Sequence, residues 1–153
     1  MGGFLIRSVR LLVLLGLSAY AAGCGVSTNT VAGPDGSPRS VSEFKTPLAP
    51  KDALRRATNV LQRLEIRRVN PPGYTAPGSG GFFGSSEPKD WPIKSDAFSG
   101  VAFGRTAANE SIDLAASWAG KDKTIVKVTT QLAAAQHKRL VDEIEAEVNI
   151  AAK

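Results

Sequence analysis

Between residues 98 and 130 the chain runs through three short apolar/polar segments joined by short polar links, and few folds accommodate that pattern. In Ser111–Trp118, Ile112, Leu114, Ala116 and Trp118 alternate with Ser111, Asp113, Ala115 and Ser117. A period of two marks a strand with one buried and one wet face. Residues 98–105 put Val101 and Phe103 on one side and the small Gly100, Ala102 and Gly104 on the other; Thr124–Thr130 follows Gly120-Lys121-Asp122. Links this short, Ala107-Ala108-Asn109-Glu110 among them, predict antiparallel neighbours, because a parallel pair needs a crossover of about a dozen residues or more. A meander with one apolar face has to be covered.

Two helical segments can cover it. Pro50 just inside a periodic stretch, with Asp52 in the first turn, predicts a helix start. Ala53, Ala57, Val60, Leu61 and Leu64 then share a face, opposite Arg55, Arg56, Asn59, Gln62 and Arg63. A short strand is expected over residues 65–69. A second amphipathic helix is expected over residues 132–149, with Ala133, His137, Leu140, Val141, Ile144 and Val148 inward and Lys138, Arg139, Asp142, Glu143, Glu145 and Glu147 mostly outward. The chain has 153 residues, 42% hydrophobic and 22% charged, which leaves room for one sizeable core. The expected fold is α+β: a two-layer sandwich of a three- to four-stranded antiparallel meander against two helices, within residues 46–153.

The N-terminal residues follow different rules. Residues 1–10 carry Arg7 and Arg10 and no carboxylate, and residues 11–22 are uncharged and rich in Leu and Ala. This is the plan of an export signal, and the apolar run falls short of the about 20 residues that a spanning helix needs. Ala21-Ala22-Gly23-Cys24, which holds the only cysteine, resembles the lipobox of bacterial lipoproteins. That resemblance implies diacylglyceryl transfer to the Cys24 thiol, cleavage before it and acylation of the new amino terminus. Signal peptide 1–23 would be lost, and with Arg7 and Arg10 gone the formal charge would fall from +5 to +3. Several acyl chains would hold the protein durably, at about 0.8 kcal/mol per buried methylene. Gly25, where family members retained at the inner membrane carry Asp, implies an outer-membrane, periplasm-facing location. Ala19-Tyr20-Ala21 leaves a second outcome open, a soluble secreted product cut after Ala21.

Residues 24–45, rich in Ser, Thr, Gly and Pro, show no apolar period and are expected to form a flexible lipid-anchored tether. As a coil it would span roughly 25 Å. Residues 70–95 hold Pro71, Pro72, Pro77, Pro88 and Pro92 with Gly73, Gly78, Gly80, Gly81 and Gly84, so an insertion without regular structure is expected. Its Tyr74, Phe82, Phe83 and Trp91 are candidate partner contacts, because recognition concentrates on loops. Pro50-Lys51-Asp52-Ala53-Leu54, the pair Phe98-Ser99-Gly100-Val101-Ala102-Phe103 and Ile112-Asp113-Leu114, and Leu140-Val141-Asp142-Glu143-Ile144-Glu145 together resemble small bacterial lipoprotein domains of αβββα, helix-grip type. The layout is also similar to the helix-grip domains of an accessory lipoprotein in outer-membrane protein assembly. The resemblance implies no catalytic residue.

The residues themselves point away from catalysis. His137 is the only histidine and lies on or beside an apolar helix face, where a structural imidazole is expected; with no second His and no free Cys, no metal ligand set forms. Asp142, Glu143, Glu145 and Glu147 face Lys138 and Arg139 at helical spacing and read as a solvated face. Gly78-Ser79-Gly80-Gly81-Phe82-Phe83-Gly84 lacks the third glycine of a dinucleotide turn and the lysine of a phosphate loop. Among Arg55, Arg56, Arg63, Arg67 and Arg68, the trio Arg63, Arg67 and Arg68 is a candidate anion contact. The expectation is a non-catalytic envelope lipoprotein, bound to the membrane through acyl chains on Cys24, with an envelope protein as partner, no cofactor, no metal and no nucleic acid. The alternative is a lipid- or small-ligand-binding helix-grip domain with an internal pocket lined by Phe103, Trp118 and Ile144.

Overall fold

In chain order the elements are β1 (Ser27–Ala32), β2 (Pro38–Thr46), α1 (Pro50–Arg63), β3 (Arg67–Val69), β4 (Lys94–Ser95), β5 (Ser99–Arg105), β6 (Ser111–Trp118), β7 (Thr124–Thr130) and α2 (Ala134–Ile150). They come from a computed structural model that describes residues 27–75, 90–121 and 123–150. All strand pairs are antiparallel, in the order β1-β2-β7-β6-β5-β3, and β4 shares the β5 edge with β3. The expected meander is β5-β6-β7, and the strand expected over residues 65–69 is the three-residue β3. Seven strands replace the expected three or four.

Most of the difference lies in the segment expected to be a tether. From Ser27 onward it is a hairpin, and β2 sits inside the sheet between β1 and β7. Gly33-Pro34-Asp35-Gly36 makes the reversal: Gly36 takes φ +75° and donates to the Gly33 carbonyl, while Asp35 accepts from the Ser37 amide and hydroxyl. Pro, Asp and Gly each favour such a turn for separate reasons of backbone geometry. Along β2 the helix-facing residues are Ser40, Ser42, Phe44 and Thr46, all buried. Small hydroxylated side chains hide the period of two from a hydropathy reading, yet β-branched and hydroxylated residues suit a half-buried pleated surface.

Both helices lie on one face of the sheet. Helix α1 starts with Pro50 at its first turn and buries Ala53, Leu54, Ala57, Val60 and Leu61 over β5, β6 and β7. It can approach closely because β5 offers almost no side chain there. A Cβ on Gly100 would come 2.7 Å from Leu54 Cδ1, and Leu54 is itself fully buried. The helix ends where Glu65 turns left-handed at φ 56°; the Glu65 amide then donates to the Gln62 carbonyl and the Ile66 amide to that of Leu61. These two bonds satisfy carbonyls that the last turn leaves open. Leu64, expected on the buried stripe, belongs to this exit and is 44% exposed.

Helix α2 packs on α1 and on β2, burying His137, Leu140, Val141, Ile144 and Val148. Ala133 precedes the helix and is exposed. The core between the layers is closed by Ile112, Leu114, Ala116, Val126, Val128, Phe44 and Ala102 from the sheet. The opposite sheet face bears Arg39, Val41, Glu43 and Lys45 on β2, Ile125, Lys127 and Thr129 on β7, Asp113, Ala115 and Ser117 on β6, and Val101, Phe103 and Arg105 on β5. Among the described residues no helix covers that face.

Candidate functional site

The helix-side face is packed and the other is not, so the uncovered face is where surface chemistry can act. Its centre is an ion pair that spans three strands: Arg39 Nη1 on β2 donates to Asp113 Oδ2 on β6 at 3.2 Å, across β7. Burial pushes the Asp113 carboxyl above the usual carboxylate range, while the positive charges of Arg39 and Arg105 pull the other way. Val41 is held to 8% exposure on this face. Lys127 faces Glu43 directly across the β2–β7 ladder at 3.7 Å. Toward β5 the charges give way to a hollow of about 560 Å³ lined by Pro71, Pro72, Val101, Phe103, Ala115 and the stem of Lys94. Lys94 Nζ donates to the Pro72 carbonyl at 2.9 Å and so pins the start of the Pro/Gly insertion to this edge.

Of the four aromatic residues expected to form a contact loop, the structure describes Tyr74 and Trp91, and Trp91 is buried. Trp91 is a core residue at 7% exposure: its Nε1–H donates to the Phe103 carbonyl at 3.2 Å and its ring lies over Gly104. A buried indole needs one acceptor, and a glycine-bearing strand supplies both the carbonyl and the room. Tyr74 is half-buried beside Trp91, in a cleft with Lys51, Arg55 and Asn59 under α1. Phe82 and Phe83 lie outside the described residues, as does Cys24 with the whole of the expected signal peptide.

The expected arginine trio is dispersed. Arg63 is committed to Glu147 of α2 at 2.7 Å. Arg67 and Arg68 are consecutive on β3 and therefore point to opposite faces, Arg67 toward Asn109 and Arg68 toward the Asp90 carbonyl. The three therefore do not share one face. On α2, Lys138 pairs with Asp142 at 2.7 Å and Arg139 with Glu143 at 3.5 Å, the solvated pairing that the spacing predicts.

His137 is fully buried, as the hub of a hydroxyl network that sequence reasoning did not find. Its Nε2 lies 2.8 Å from Ser42 Oγ and its Nδ1 2.9 Å from Thr130 Oγ1; Ser42 Oγ is in turn 2.8 Å from Thr28 Oγ1. Desolvation lowers the imidazole pKa and keeps the ring neutral. One ring nitrogen then donates and the other accepts, and a hydroxyl can serve either. The ring stitches α2 to β2 and β7. The only available hint was Ser and Thr at alternate positions of β2.

An internal pocket lined by Phe103, Trp118 and Ile144 does not form. Phe103 lies on the uncovered face, Ile144 on the helix side, and Trp118 at the end of β6 is 38% exposed. Among the described residues no group of three or more His, Cys, Asp or Glu could hold a metal ion, and no helix is long and apolar enough to cross a membrane. Comparison with protein-family models and with curated proteins finds no match.

Proposed function

We propose that the protein is a non-catalytic lipoprotein of the bacterial cell envelope, whose small α+β domain is held at a membrane by acyl chains on Cys24 and makes contact with another envelope protein. The observation that carries the reading is the order of the first residues: Arg7 and Arg10, an uncharged run over residues 11–22, then Ala21-Ala22-Gly23-Cys24 with the only cysteine of the chain. An unpaired thiol in an oxidising compartment is a liability unless it is used, and alkylation uses it. The uncovered sheet face supports the contact role. It combines a half-buried apolar hollow with an ordered charge pair, the mixture common at non-obligate interfaces.

The test of the anchor is palmitate labelling in a bacterial host, with mass spectrometry of the mature amino terminus. Label that disappears in Cys24→Ala, and a mature chain beginning at an acylated Cys24, are expected. An unmodified terminus at Ala22 would replace the reading by the soluble secreted product. The contact role is tested separately, with a photo-crosslinker at Val101 or Ala115 and a control at Lys138 on the solvated side of α2. The same adducts from both places would remove the sheet face from the proposal.

A further inference from the structure

Residue 27, the first of β1, changes what a lipid on Cys24 would do to the domain. Only Gly25 and Val26 lie between Cys24 and Ser27, and three steps of extended chain reach at most about 11 Å. The anchor point is therefore confined to the neighbourhood of one end of the sheet, the end from which β1 departs. Ser27 is level with Glu43 in β2, three residues before Thr46. From Thr46 a row runs across the sheet end: Thr46 opposite Thr124, Thr124 opposite Trp118, and the Trp118 amide donating to the Phe98 carbonyl at 2.7 Å. The row spans about 14 Å at ordinary strand spacing.

At this end stand the two most exposed aromatic rings among the described residues, Phe98 at 70% and Trp118 at 38%. Phe98 is held outward by a built turn. The Asp96 carboxylate accepts from the Phe98 amide at 2.8 Å and the Ser99 amide at 2.7 Å, and the Asp96 amide donates to the Ser99 carbonyl. Exposed lysines lie on the segments that meet at this end: Lys121 and Lys123 on the β6–β7 turn, Lys45 beside Thr46 and Lys51 in the first turn of α1. The described carboxylates nearby are engaged, Asp96 with the turn amides and Asp52 with Arg55 at 3.7 Å; Asp122 lies outside the described residues.

We propose that this end of the sheet, with Phe98, Trp118 and the lysines Lys45, Lys51, Lys121 and Lys123, docks onto an anionic lipid surface. Amphipathic and aromatic rings settle at the headgroup level, and cations near an anionic leaflet add to binding by about fivefold each. The inference rests on the anchor at Cys24. That anchor keeps the docking surface beside the bilayer at all times, and a leash of two residues, Gly25 and Val26, leaves the domain seated on the membrane, not standing clear of it.

Tryptophan fluorescence tests it, because Trp91 is buried and Trp118 is exposed. The acylated full-length product is reconstituted in vesicles of phosphatidylglycerol and phosphatidylcholine that carry a headgroup-proximal quencher. Trp118 is expected to lose most of its emission, and Trp118→Phe is expected to leave only the unquenched signal of Trp91. Replacing Lys45, Lys121 and Lys123 together by Gln, or omitting phosphatidylglycerol, should restore emission at equal flotation of the protein with the vesicles. Full Trp118 emission in protein that floats would overturn the docking and leave the anchor standing. If the protein takes up no palmitate, coupling through Cys24 to a maleimide-bearing lipid supplies the leash. Quenching then upholds the docking surface while the natural anchor falls, and its absence there overturns both.

Discussion

The two helices cover the same sheet face by different chemistry. Under α1 the contact is dry: Leu54 and Leu61 press on Gly100, Ala102, Ile112 and Leu114, and Ala53, Ala57 and Val60 complete the stripe. Under the first turns of α2 it is polar: His137 reaches Ser42 and Thr130, and Thr28 on the edge strand extends the network. A dry contact gains from area and shape and tolerates poor specification of direction. A buried hydroxyl-imidazole network gains little net energy and fixes direction, since each member is costly to leave unpaired. The α1 half therefore supplies most of the stability, and the α2 half secures β2, and through it β1, in register.

The largest expected effect breaks the dry half. Leu54→Ala leaves a cavity between α1 and β5 and is expected to cost about 2–5 kcal/mol in urea unfolding, with the same cost at pH 5 and pH 8. A cost no larger than the about 0.5 kcal/mol usual for an exposed residue would mean that the helix does not seat on Gly100. Gly100→Ala attacks the same contact from the strand. The added methyl would come 2.7 Å from Leu54 Cδ1 inside a filled core, and the expected loss is about 1–3 kcal/mol. In the Leu54→Ala background most of that second loss should vanish, because the two changes share one space.

The polar half is sharpened by pH. Because desolvation lowers the folded-state pKa of His137, its folded value lies below 6.5, the ordinary one. Above pH 6.5 the ring is neutral in both states and the group adds no pH dependence. As the pH falls through 6.5 the unfolded chain takes up a proton that the fold refuses, so stability drops, by at most about 1.4 kcal/mol per pH unit, until the folded pKa is passed. His137→Gln should lower stability at pH 8 and flatten this part of the profile. An unchanged slope between pH 6.5 and 5 would assign the pH dependence to other groups.

The same contrast explains what could be read from the sequence. β6 and β7 are found at their expected ends, and α1 at its expected start, because large apolar side chains at a fixed period leave no second interpretation. β1 and β2 escaped because Ser40, Ser42 and Thr46 are buried through hydrogen bonds and close packing, and a hydrophobicity pattern carries no record of either. Trp91 was misassigned for a related reason. The Pro/Gly composition of its surroundings says that the backbone is irregular, but does not say that one ring of an irregular segment fills the space over Gly104. Of the candidate anion contacts, Arg67 and Arg68 are separated by strand geometry, since adjacent positions on a strand face opposite ways, while Arg63, at the end of α1, pairs with Glu147.

The smallest predicted effect concerns the exit from α1, where the dry half ends. Glu65 occupies the left-handed position that closes the helix, at φ 56°, and its amide and that of Ile66 cap the carbonyls of Gln62 and Leu61. A residue with a Cβ is disfavoured there by about 1 kcal/mol, and glycine is not, although glycine also loses more freedom on folding. Glu65→Gly is therefore expected to raise stability by a few tenths of a kcal/mol up to about 1 kcal/mol in urea unfolding. Glu65→Val, whose branched side chain tolerates that region least, should lower it. If the two variants move stability in the same direction, the backbone at Glu65 is not left-handed, and Ile66 could not then cap Leu61 in the way that carries the chain from α1 into β3.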